Sequence, residues 1–109
     1  MANKSLRDPN GVIRKAYSIL PEELYKDFLK TLDELENNDC HIHHQYPHTE
    51  THKVQGIKLN VYRSYINKAS GWRIHFQFVD SYVELNDVLT RREHDDAVKV
   101  IKRRKGRYR

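Results

Sequence analysis

The stretch Gly71–Phe78, GWRIHFQF, alternates without a break, and this constrains the fold more than any other feature of the chain. Side chains along a strand point to opposite faces in turn. Trp72, Ile74, Phe76 and Phe78 therefore share one face, and Arg73, His75 and Gln77 share the other. Two further segments read as strands, Lys58 to Asn67 and Tyr82 to Leu89. Lys68-Ala69-Ser70-Gly71 separates the first two strands and Asp80-Ser81 the last two. Gaps this short predict an antiparallel meander. Such a sheet can bury one face and keep the other polar.

The segments on either side are helical in pattern. Asp8-Pro9-Asn10-Gly11 is a turn signal, and Val12, Ile13, Ala16, Tyr17, Ile19 and Leu20 after it suit a short amphipathic helix. Pro21 restarts the chain, with Glu22 and Glu23 complementing the positive end of a second helix. Leu24, Phe28, Leu32 and Leu35 recur at helical spacing, and Asn37-Asn38-Asp39 ends that helix. Cys40 to His52 reads as loop. Ala97, Val98 and Ile101 give the stripe of a C-terminal helix. The expected architecture is α+β: an N-terminal helical hairpin packed on one face of a small antiparallel sheet of three or four strands, with a C-terminal helix. Its other face is expected to be open, presenting Arg73, His75 and Gln77.

The chain has 109 residues, which predicts a single domain over residues 1–109. Residues 1–11 are expected to be disordered or a short edge strand, and residues 102–109 a basic tail. No apolar run approaches the ~20 residues of a membrane span. MANKSLRD lacks the apolar core of a signal peptide, and the single Cys40 excludes an internal disulfide, so a cytoplasmic protein is expected. The net charge of +5 is unevenly placed. Glu22 to Asp39 is rich in acids, whereas VKVIKRRKGRYR has none. A basic block enclosing an aromatic residue is the electrostatic footprint of a nucleic-acid partner. Lys102, Arg103, Arg104, Arg107 and Tyr108 are its candidate contacts.

The polar strand face gathers further groups. Arg63 and Tyr65 share a side of the preceding strand, and Tyr82, Glu84 and Asn86 share a side of the following one. Thr90-Arg91-Arg92-Glu93-His94 follows the last strand and places two guanidiniums and an imidazole at the rim. Guanidinium forks match phosphate oxygens, and imidazole trades a proton near neutrality. Together they suit metal-free cleavage of RNA: a base takes the 2′-OH proton, arginines stabilise the phosphorane, and an acid protonates the leaving 5′-oxygen. The competing reading is a solvated strand face. His41, His43, His44, His48 and His52 cluster with Glu50, but without a paired Cys motif they read as a flexible polar loop. No metal or other cofactor is expected.

From Val12 onward the chain resembles the RelE/ParE toxin superfamily, nearest the RelE-like messenger-RNA interferases. VIRKAYSILPEELYKDFLKTLDELENN resembles the helical hairpin, HKVQGIKLNVYRSYI the entry into the sheet, and SGWRIHFQFVD the "S-G-Y-R-L-x-Y-x-x-x-D" strand. The resemblance implies that Arg73 binds the scissile phosphate and that Arg63 and Tyr65 face the substrate. It places Arg91 or Arg92 at the arginine after the last strand and His94 at a catalytic acid or base. Tyr108 is similar to the terminal tyrosine of some relatives. By the same likeness, the protein is the toxin of a toxin–antitoxin pair, a metal-independent endoribonuclease that cleaves mRNA, free or on the ribosome. The alternative is a non-enzymatic member that binds DNA gyrase or RNA.

Overall fold

Five strands form one mixed sheet in the order β1-β5-β4-β3-β2: β1 (Ser5–Arg7), β2 (His52–Lys53), β3 (Tyr62–Asn67), β4 (Trp72–Val79) and β5 (Tyr82–Leu89). The computed structural model describes residues 4–95 and 97–109, except for the side chains of residues 94 and 95. β2 to β5 pair antiparallel, as the short gaps require, while β1 lies parallel to β5. The five-stranded sheet corrects the expected three or four strands. The N-terminal edge strand and the two-residue β2 account for the difference. Neither has enough residues for alternation to register.

The helices are α1 (Val12–Ile19), α2 (Tyr25–Glu36), α3 (Asn38–His43), α4 (Arg91–Asp95) and α5 (Ala97–Arg103). Helix α1 starts at Gly11, which holds φ 66° and offers no side-chain cap. Asp8 supplies the cap instead, its carboxylate accepting the Val12 and Ile13 N–H groups at 2.6 and 2.9 Å. Helices α1 and α2 lay Val12, Ala16, Phe28, Leu32 and Leu35 on Ile66, Ile74, Phe76, Leu85 and Val88 of the sheet. Trp72 packs against the same core, so the apolar side of GWRIHFQF faces the helices as its pattern predicts.

The expected loop from Cys40 to His52 contains most of α3, capped by the Asn37 side chain at the Asp39 N–H (2.9 Å). His41 is buried, donating through Nε2 to the Leu35 carbonyl, which leaves Nδ1 to accept the Tyr46 hydroxyl. The buried Glu34 carboxylate accepts the His48 and Thr49 N–H groups and the Thr49 hydroxyl. This histidine-rich segment is therefore held in place by hydrogen bonds and is not a floppy loop. Strand β3 begins at Tyr62, later than expected, because residues 55–60 run irregularly beneath α5.

The open polar face is the main correction. Arg73 is 6% exposed, His75 0% and Gln77 5%. The C-terminal segment folds back over His75 and Gln77.

Candidate nucleic-acid interface

Register brings the polar residues of three strands together. Tyr65 lies opposite Arg73, Arg63 opposite His75, and His52 opposite Arg63. The Arg73 guanidinium sits 4.7 Å from the centre of the Tyr65 ring, in cation–π contact. His52 donates from Nδ1 to the Glu50 carbonyl (2.9 Å), so its Nε2 is the acceptor that the Arg63 Nε–H reaches at 3.0 Å. Arg63, Tyr65, Arg73 and His75 thus form one cationic and aromatic patch.

A bulge between β4 and β5 at His75–Phe76 changes the neighbouring strand. It leaves Asn86 and Asp87 both within reach of the polar side, where strict alternation would have turned one away. Asn86 donates to the Gln77 carbonyl oxygen at 3.0 Å and to the Arg107 carbonyl at 2.9 Å. The buried Asp87 accepts from Lys15 at 3.0 Å and Arg104 at 2.6 Å, and lies 3.4 Å from Arg107. Burial pushes the Asp87 carboxyl up, but the bonds from Arg104 and Lys15 outweigh it and hold it below the usual carboxylate range.

The expected basic tail is a strap. Arg109 grips Glu84 with two bonds of 2.6 and 2.8 Å, and its N–H donates to Gln77 at 2.9 Å. Arg104 also pairs with Glu93. Tyr108 is buried, with its hydroxyl 2.9 Å from His75 Nδ1, so Tyr108 and His75 are brought together from 33 positions apart. His75 Nε2 is buried without a hydrogen-bond partner. Burial pulls the imidazole down to about 4, so it is neutral at pH 7. Two of the predicted tail contacts, Arg104 and Arg107, are spent on Asp87, whereas Lys102 and Arg103 stay exposed.

Helix α4 opens with a capping box. The Thr90 hydroxyl accepts the Glu93 N–H at 3.2 Å and the Glu93 carboxylate accepts the Thr90 N–H at 3.1 Å. This sets Arg91 and Arg92 exposed on the first turn. Gly71 lets Arg91 approach the start of β4: a Cβ there would lie 2.5 Å from Arg91 Cβ. The side chain of His94 lies outside the described residues. Sequence reasoning missed Asp87, Lys15, His52 and Arg109. The T-x-x-E box at Thr90 and the carboxylates of β5 were the available signals. Among the described residues, no three of His, Cys, Asp and Glu gather in a group that could hold a metal ion.

Helices on one face of a small, mainly antiparallel sheet, with a C-terminal helical segment over the other, make up a RelE-like fold. A chain in the solved structure of the archaeal RelE-RelB complex from Pyrococcus horikoshii OT3 is similar to this one, with a TM-score of 0.59 and 19% identity. The match covers 84% of this chain and 97% of that one. At that identity the likeness is one of fold. No family model and no curated protein matches the sequence. None of the helices among the described residues is long and apolar enough to cross a membrane.

Proposed function

We propose that this protein is the toxin of a toxin–antitoxin pair: a metal-independent endoribonuclease that cleaves mRNA in the cytoplasm, free or on the ribosome, and is restrained by an antitoxin protein. The observation that carries the reading is the register-aligned patch of Arg63, Tyr65, Arg73 and His75 on a RelE-like sheet. In this scheme Arg73, steadied on Tyr65, holds the scissile phosphate. Arg91 or Arg92 stabilises the charge that grows on the phosphorane. His94 moves a proton to or from the reacting oxygens. Arg63, Lys102 and Arg103 guide the backbone, so affinity falls steeply with salt. Cleavage leaves a 2′,3′-cyclic phosphate.

Brief induction followed by primer extension on cellular RNA tests this reading. New 5′ ends are expected with the wild type and not with Arg73→Ala or His94→Ala, and purified protein should cut in the presence of a chelator. Intact RNA under wild-type induction refutes the nuclease reading. Full cutting by the double variant refutes the assigned roles. One observation favours the second reading, a non-enzymatic binder of DNA gyrase or RNA: Arg73 and His75 are both buried. A gyrase binder would leave RNA whole and cause DNA damage.

A further inference from the structure

A second cavity lies at the β2 edge, away from Arg73. Its volume is about 290 Å³, and its walls include Tyr46, Tyr62, Phe78, His44, His52 and Lys53. That is the lower end of the range for ligand pockets. It suits one flat ring with its sugar, and little more.

The lining chemistry narrows the occupant. Tyr62 and Phe78 meet edge to face, with ring centres 5.1 Å apart, and Tyr62 stacks on Phe76 behind it at 5.5 Å. Phe78 is 39% exposed although its strand is buried from Arg73 to Gln77. Lys53 and His44 are exposed at the mouth, and no carboxylate is among the described lining residues. His44 holds φ 52° as the left-handed cap that ends α3. Aromatic walls with a lysine and an imidazole at the mouth suit a nucleobase and its phosphate.

The pocket borders the patch described above through one residue, His52. His52 lines it and at the same time accepts the Arg63 hydrogen bond. Tyr62 and Arg63 are successive residues of β3, so the pocket and Arg63 lie on opposite sides of one strand edge. We propose that this pocket is a base-binding subsite, in which an RNA strand crossing the β2 edge stacks one base on Phe78 and Tyr62 and sets its phosphate by Lys53. The proposal rests on the RNA-directed reading and gives it a specificity determinant.

Titrating the full-length protein with the four nucleoside 5′-monophosphates, and separately with ribose 5-phosphate, tests this by NMR of the aromatic and histidine side chains. The nucleotides are expected to shift Tyr62, Phe78 and His44 and to bind several-fold more tightly than ribose 5-phosphate. Phe78→Ala should weaken them by about fivefold or more, the lower end of one base–aromatic stack. Lys53→Met, an exposed change, carries the same test if the first variant folds poorly. Equal binding of ribose 5-phosphate, or shifts confined to the Arg63–Arg73 patch, overturns the proposal. If nucleotides fill the pocket but RNA is never cut, the subsite stands and the nuclease reading falls. If Arg73→Ala stops cutting while Phe78→Ala and Lys53→Met alter neither nucleotide binding nor the bases at the cut sites, the subsite falls alone.

Discussion

Replacing Asp87 by Asn should release the C-terminal strap and measurably weaken the fold. Asp87 is fully buried and lies within 2.6–3.4 Å of Lys15, Arg104 and Arg107. Asn keeps the shape and can still accept the Val88 N–H, so the change isolates the charge. Removing one partner of a buried ion pair costs about 3–5 kcal/mol, and an exposed pair contributes about 0–1. The three cations are 28%, 28% and 35% exposed, so water screens part of the attraction. We expect a loss of about 2–3 kcal/mol, or a fall in Tm of roughly 8–15 °C for a chain this size.

The assay is thermal unfolding with limited trypsin digestion at Arg104 and Arg107, which Asp87 holds in the folded chain. Arg104→Met with Asp87→Asn should lose less than the sum of the single changes, by about 1 kcal/mol or more. The pH dependence has a definite sign. Asp87, Glu84 and Glu93 all titrate below their ordinary values in the folded protein. Their stabilisation is complete above the unfolded values near pH 4 and is lost as the pH falls through the folded ones. A variant within about 1 kcal/mol of wild type, with unchanged trypsin cleavage, would refute the view that this carboxylate ties the strap down.

Three further outcomes are expected. Gly71→Ala should cost about 1–3 kcal/mol in denaturant unfolding, since Gly71 holds φ 81° and its Cβ would strike Arg91; Arg91→Gly, which removes the opposing Cβ as well, should relieve only the clash. His75→Phe should flatten the stability profile on the acid side. The imidazole titrates near 4 in the folded chain against about 6.5 unfolded, so the unfolded chain binds the extra proton and wild-type stability drops by about 3 kcal/mol from pH 6.5 to 4. His41, also shifted down, persists in the variant, so the difference between the two profiles is the readout. Glu34→Gln should loosen residues 48–49 and cost about 1–3 kcal/mol, seen as faster amide exchange at His48 and Thr49.

Local rules account for what could be read from the sequence. Period-2 alternation put Ile74 and Phe76 in the core and Arg73, His75 and Gln77 opposite them, and helical spacing placed Phe28, Leu32 and Leu35. Alternation says which side a residue takes, but not what later covers that side. The cover comes from Arg104, Arg107, Tyr108 and Arg109, whose partners lie 11 to 33 positions away. A basic run without acids reads as a free tail until Glu84 and Asp87 are seen to be buried beneath it. Asp87 was further hidden by the bulge, because strict alternation assigns it to the face opposite Glu84 and Asn86. The same burial separates the arginines by task. Arg104, Arg107 and Arg109 neutralise the acidic β5 side, which leaves the β2–β3–β4 side, with Arg63, Arg73 and the cavity behind Tyr62, as the half of the sheet whose charge suits a polyanion. Tyr108, whose hydroxyl holds His75, is where the strap meets that half.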